Sequence, residues 1–191
     1  MGKIINLYKR LYNKLFRYNY NYQIRRKIIK KGGRIGKNIS LNINGNFTYG
    51  KKFVVNDEGI DVFTKSKIIV YSNASLCIGD FSGITSTSII CTSSISIGRH
   101  VNIGAGCLIM DSNFHSLDWQ VRGNRSCDGS DAKRSPIKIG DYAFIGARCI
   151  ICKGVTIGEK SIIAAGSIVV SDIPSCEIWG GNPARFIKCI Q

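Results

Sequence analysis

The sequence predicts an all-β solenoid, a parallel β-helix built from a six-residue repeat, and three regularities predict it. Every sixth residue from Ile139, namely Ile145, Ile151, Ile157, Ile163 and Val169, is a β-branched aliphatic. Neither a helix period of about 3.6 nor a strand period of about 2 produces that interval, whereas a fixed short repeat is the mark of a solenoid. Two residues before the ladder positions stand small or compact side chains: Val101, Cys107, Ala143, Cys149, Val155, Ser161 and Ser167. They suit an inward-facing tight corner. Glycine follows the ladder residue at Gly79, Gly98, Gly104, Gly140, Gly146 and Gly158, where a sharp turn is expected, and polar residues such as Asp80, Arg99, Asp141 and Glu159 come next.

Taken in order, residues 1–34 form a basic amphipathic helical segment. No Asp or Glu precedes Asp57, so the net charge of +15 belongs almost wholly to this end. That distribution argues for a basic appendage and against a nucleic-acid-binding core. In "KIINLYKRLYNKLF", residues 3–16, Ile4, Leu7, Tyr8, Leu11, Tyr12, Leu15 and Phe16 fall near one helical face and lysines and arginines take much of the other. Such a helix either packs on the solenoid or lies on an anionic membrane surface.

The β-helix is expected over 35–175. Its ladder starts loosely at Ile35, Leu41, Phe47 and Phe53, cannot be phased between 54 and 77, and resumes at Ile78, Ile84 and Ile90. It slips by one residue before Ile97, Ile103 and Ile109. The stretch 110–136 then breaks the rhythm: "DSNFHSLDWQVRGNRSCDGSDAKRSP" cannot continue the apolar stack and is expected to leave the coil and rejoin it near Ile137. A long excursion from a compact domain is usually functional. Residues 176–191 form a C-terminal tail.

The excursion holds His115, one of two histidines in the chain. A neutral imidazole removes a proton near neutral pH, as activation of a hydroxyl or amine requires. Asp111 and Asp118 are placed to orient its ring or to hold a substrate hydroxyl, with a backbone carbonyl as the other partner, and Trp119 is expected beside the substrate. Asp128 and Asp131 read as solvated loop charges. His100, at an exposed turn, reads as structural.

Other classes are excluded. A chain of 191 residues allows one domain, and 44% hydrophobic content supports a core. No apolar run reaches the length of a membrane span and no signal-peptide centre is present, so a cytoplasmic protein with eight free thiols is expected. Cys149 and Cys152 form a CxxC without further ligands, so no metal is expected. No GxxxxGK[ST] occurs and no GxGxxG has the strand-to-helix context of a nucleotide cradle.

Three stretches, "IGRHVNIGAGCLIMDSNFHSLDW", "IKIGDYAFIGARCIICKGVTIGEKSIIAAGSIVVSDIP" and "WGGNPARFIK", resemble the hexapeptide-repeat acyltransferases, particularly the sugar and polysaccharide O-acetyltransferases. The resemblance covers roughly residues 70–190. It implies a left-handed β-helix, a homotrimer with acetyl-CoA sites between subunits, and acetyl transfer to a sugar hydroxyl of a bacterial surface polysaccharide or its precursor, in the cytoplasm or at the inner face of the membrane. Amino-sugar N-acetylation, xenobiotic acetylation and a non-catalytic trimeric scaffold are the alternatives. By the resemblance His115 is the general base, and Thr85 stands where several relatives carry an asparagine that supports the tetrahedral intermediate, with Ser86 or backbone N–H groups as substitutes. It also implies that Ala147, Ala165, Val170 and Ser171 meet the pantetheine arm, that Phe144 lies near the thioester, and that Arg185 and Lys188 meet the nucleotide phosphates.

Overall fold

A computed structural model describes residues 22–36, 39–56 and 66–190. The expected helix over 3–16 lies outside the described residues. A helix over 22–30 leads into the first strand, Arg34–Ile35, one residue earlier than the expected boundary. It turns Ile24 and Ile28 into the core, and the Arg25 guanidinium donates to the carbonyls of Gly36 and Ile39. This helix therefore packs on the solenoid.

The remainder winds into coils whose strands fall on three faces. Among the described residues the first face has eight strands, the second six and the third five. Successive coils pair in parallel and in register. Phe144 pairs with Ile162 and Ile150 with Ile168, each three hexapeptides further along. The register survives the excursion: Ile103 lies on Ile145 and Ile109 on Ile151. The fold is a left-handed parallel β-helix.

The ladder is the core. Ile97, Ile103, Ile109, Ile139, Ile145, Ile151, Ile157, Ile163 and Val169 are all at most 3% exposed. Burying each such side chain is worth about 1.5–3 kcal/mol, so a stack of them holds the coils together. The compact positions two residues earlier are buried as well, from Val101 to Ser167. One ladder residue differs from expectation. In the strand Ser88–Cys91 it is Ile89 that is fully buried, while Ile90 is half-buried on the outer surface. Ile89 pairs with Ile109 in the next coil, so the irregular spacing falls between Ile84 and Ile97 and leaves the register intact.

The glycines after the ladder serve a different purpose from the expected one. None of them has a positive φ; left-handed backbone falls two residues later, at Phe81, His100, Tyr142, Arg148 and Lys160. Gly146 is required by close approach, since a Cβ there would lie 2.5 Å from the amide nitrogen of Ala165. Left-handed backbone costs a non-glycine residue on the order of 1–2 kcal/mol. At one corner this is offset by stacking: the rings of Phe81 and His100 lie 4.8 Å apart, and those of His100 and Tyr142 4.7 Å apart, both nearly parallel.

The C-terminal residues are not a loose tail. Glu177–Gly180 adds to the first face beside Ile162–Ile163, and Arg185–Cys189 folds back antiparallel on it. Gly146→Ala should lower stability by about 1–3 kcal/mol through overpacking between coils, read as a fall in thermal midpoint. An unchanged midpoint would mean that the coils can spread at this corner.

Candidate active site

The excursion begins where the strand Leu108–Met110 ends, at the edge between the second and third faces. Asp111 is the first residue past the strand and is fully buried. Its carboxylate accepts the Thr92 N–H at 2.7 Å, the Thr92 hydroxyl at 2.8 Å and the Ser93 N–H at 2.7 Å, all from the preceding coil. The Cys91 thiol also points at it, and burial, with Asp111 beside it, pushes that thiol up to about 12. Hydrogen bonds to a charged acceptor are each worth about 1.5–3 kcal/mol. Asp111 is thus the anchor of the loop. It does not orient His115, contrary to the sequence expectation, because its oxygens are turned inward and taken.

Above the anchor the two arms of the loop zip together. Asn113 N–H donates to the Lys133 carbonyl at 3.0 Å, Ser135 N–H to the Asp111 carbonyl at 3.0 Å, and Ser112 bridges antiparallel to Arg134. The chain then turns through Phe114, which has a φ of 62°, and presents His115. Asp118 does not meet the histidine either. It caps the short helix Trp119–Gly123, accepting the Gln120 N–H at 2.8 Å.

The partner of His115 is Asp128, read from the sequence as a solvated charge. Its Oδ2 lies 2.6 Å from His115 Nδ1, and its Oδ1 accepts the Ser116 N–H at 2.7 Å. The Asp128 side chain is only 13% exposed, whereas the His115 ring is 67% exposed. The His115 hydrogen bond, followed by that of Ser116, holds the Asp128 carboxyl below the usual carboxylate range. A neutral imidazole that donates Nδ1–H to this carboxylate carries its lone pair on Nε2, at the open side of the ring.

Ser116 ties the assembly together. It is 1% exposed, its hydroxyl donates to Asp131, its carbonyl accepts from Arg122 at 2.7 Å, and its Oγ accepts the Asp118 N–H at 3.0 Å. Asp131, though exposed, therefore also helps to hold the loop. The sequence offered no spacing signal for either, since the pairing spans thirteen residues of irregular chain.

The other expected site residues fall elsewhere. Thr85 ends the strand Gly83–Thr85 on the first face, at its edge with the second. The strand Ser88–Cys91 lies between it and Thr92 at the loop anchor, so Thr85 and the loop occupy opposite edges of the second face. Beside it Ser86, with a φ of 43°, is 3% exposed, and its hydroxyl has no hydrogen-bond partner. A buried hydroxyl without a partner needs an explanation.

Ala147 and Ala165 stack at this same edge, where Gly166 N–H donates to the Ala147 carbonyl at 2.8 Å. Val170 and Ser171 are exposed but follow the strand Ile168–Val169, so they lie at the far edge of that face, away from the alanines. Phe144 projects outward from the first face at 47% exposure, beside Asn102 and Ile162. Arg185 and Lys188 are exposed on the last strand. Cys149 and Cys152 flank the strand Ile150–Ile151, and among the described residues no cluster of three or more His, Cys, Asp or Glu could hold a metal ion.

Residues 136–171 match a family model described as the hexapeptide repeat of succinyl-transferase. A Staphylococcus aureus protein whose name assigns it provisionally as an acetyltransferase is 38% identical over 112 residues, covering 51% of this chain and 56% of that protein. The chain thus spans about half the length of the curated relatives it matches. Among solved structures, a maltose O-acetyltransferase from Clostridium difficile superposes with a TM-score of 0.53 at 26% identity, over 96% of this chain and 85% of that one. A hexapeptide-repeat acetyltransferase from Vibrio cholerae, solved with acetyl coenzyme A, superposes with a TM-score of 0.53 at 23% identity, over 91% and 78%. Repeat, coil and matches together give the chain the hexapeptide-repeat β-helix fold and make it similar to acetyltransferases built on that fold.

Because its acidity is raised by the pairing, Asp128 should titrate below the value of about 3.9 for a free aspartate. Its depressed folded value means that the pairing stabilises the loop above that pH and is lost as pH falls through the lower folded value. Carboxyl chemical shifts followed by NMR should show this, and His115→Ala should move the Asp128 midpoint upward. A midpoint indifferent to His115 would contradict the assigned pairing.

Proposed function

We propose that the protein is an acetyl-CoA-dependent O-acetyltransferase that acts, as a homotrimer in the cytoplasm, on a sugar hydroxyl of a bacterial surface polysaccharide or its precursor. The observation that carries the reading is the His115–Asp128 pair, held on an anchored loop with the imidazole 67% exposed and its Nδ1 engaged. The sugar acceptor and the acetyl donor are those of the solved maltose and Vibrio cholerae enzymes respectively.

In this reading His115 Nε2 takes the proton of the acceptor hydroxyl as its oxygen forms a bond to the thioester carbonyl carbon. Asp128 fixes the tautomer and stabilises the imidazolium that results. The Thr85 hydroxyl, half-buried and directed outward from its strand, donates to the oxygen that gains charge. The imidazolium then returns its proton to the departing sulfur as the carbon–sulfur bond breaks, leaving an acetyl ester. Ser86 does not take the role given to Thr85, because its hydroxyl is buried from the surface. Arg185 and Lys188 supply cations for the donor's phosphates, and the small Ala147 and Ala165 let its arm approach the backbone. Val170, Ser171 and Phe144 contribute apolar and backbone contacts on the outer surface.

Separation of the loop from the Ser86 corner supports a site shared between subunits. One protomer's loop, with Leu117 at 67% and Trp119 at 71% exposure, would reach the corner of its neighbour. Trp119 and the outward His115 then face the acceptor together.

Thiol release from acetyl-CoA against a panel of glycans tests the proposal. His115→Ala should lose about 10²–10⁴-fold in kcat. Asp128→Asn should lose at least about tenfold in kcat with KM little changed, and Thr85→Val about 10²-fold. Undiminished turnover by a folded His115→Ala variant would sink the mechanism. Failure to bind coenzyme A at all would leave a trimeric scaffold as the function.

A further inference from the structure

The amino-terminal end of the solenoid carries a groove, about 440 Å³ in volume, between the helix over 22–30 and the strand Asn46–Tyr49. Its apolar wall is Ile24, Phe47 and Tyr49, and its rim is Lys27, Lys30 and Lys31. Among the described residues no acid lines it, and none precedes Asp57 in the sequence. The helix is committed inward through Ile24 and Ile28, which fixes the three lysines on its outer side. The Lys31 ammonium lies 4.9 Å from the centre of the Tyr49 ring and donates to the Tyr49 carbonyl at 3.3 Å, so one cation is already held over the aromatic wall.

Three ammonium groups with no acid beside them among the described residues make a strongly positive mouth, and such a mouth attracts phosphate. An aromatic and aliphatic wall beneath the cations gains nothing from a free anion but does accept the glycerol and upper acyl region of a lipid. The sequence upstream continues the same chemistry, with apolar residues and lysines interleaved over 3–16 and no acid among them. We propose that this groove docks the protein on an anionic phospholipid surface, the three lysines taking headgroup phosphates and Phe47 and Tyr49 meeting the interface. Docking would hold the enzyme beside acceptors carried at the membrane, although the surface itself does not depend on the catalytic reading.

The test is co-sedimentation of the full chain with vesicles of phosphatidylglycerol and phosphatidylcholine against pure phosphatidylcholine, at low and raised salt. The wild type should bind only the anionic vesicles, and more weakly as salt rises. The triple variant Lys27→Gln, Lys30→Gln, Lys31→Gln should lose on the order of 10²-fold in partition. Glutamine keeps the helix, so folding is preserved, and circular dichroism checks it. A control triple of equal charge, Lys133→Gln, Lys138→Gln, Lys153→Gln, should retain binding. Phe47→Ser should weaken vesicle binding while leaving its salt dependence unchanged. Equal loss in both triples would reduce the effect to net charge and overturn the site. Glycerol phosphate bound as tightly as vesicles would make it a small-anion site, and no binding to anionic vesicles would remove it altogether.

Discussion

Each coil of this protein must settle within one strand spacing, about 4.8 Å, of the coil below it, and the rest of the molecule answers to that distance. The inner ladder of Ile and Val fills the interior layer by layer, while Gly146 and its equivalents let backbone meet backbone where a single Cβ would not fit. The corner residues accept left-handed backbone as the cost of closing a triangular turn in so few residues, and the Phe81, His100 and Tyr142 rings convert that cost into a stack. His100 is thereby explained without chemistry.

A rigid stack also provides the platform that a loop cannot provide for itself. The excursion holds little core of its own: in its two short helices no residue is buried. Its shape comes from polar contacts, and these form a chain of dependence. Asp111 fastens the loop to Thr92 and Ser93 of the preceding coil, the antiparallel arms carry that fixity outward, and Ser116 gathers Asp128 and Asp131 around the histidine. Loss of the anchor would therefore disturb the imidazole without touching it. Buried carboxylates satisfied in this way specify geometry as well as adding stability.

Charge divides the molecule differently from structure. The helix over 22–30 is continuous with the solenoid through Ile24, Ile28 and the Arg25 bonds to Gly36 and Ile39, so it is part of the folded body. Its lysines nevertheless remain outward, and among the described residues no acid lines the groove beside them. A cationic end on one side and an anchored histidine loop further along the coil axis give the protein two surfaces that can act at once.

How much was legible in the sequence follows from the range of the interactions involved. The six-residue interval, the compact positions before it and the limits of the excursion near 110 and 136 were readable, because a solenoid makes each residue's environment depend on local spacing. His115 was readable as the one histidine outside that rhythm. The sequence could not show that Ile89 rather than Ile90 turns inward, since both are β-branched and the register there is set by pairing with Ile109. Nor could it choose among four loop aspartates. Asp111, four residues from His115, is spent on the coil beneath, whereas Asp128, thirteen residues away, reaches the ring. Only the tertiary structure decides such a contest, because an irregular loop has no period, and which carboxylate meets a side chain depends on how its two arms close.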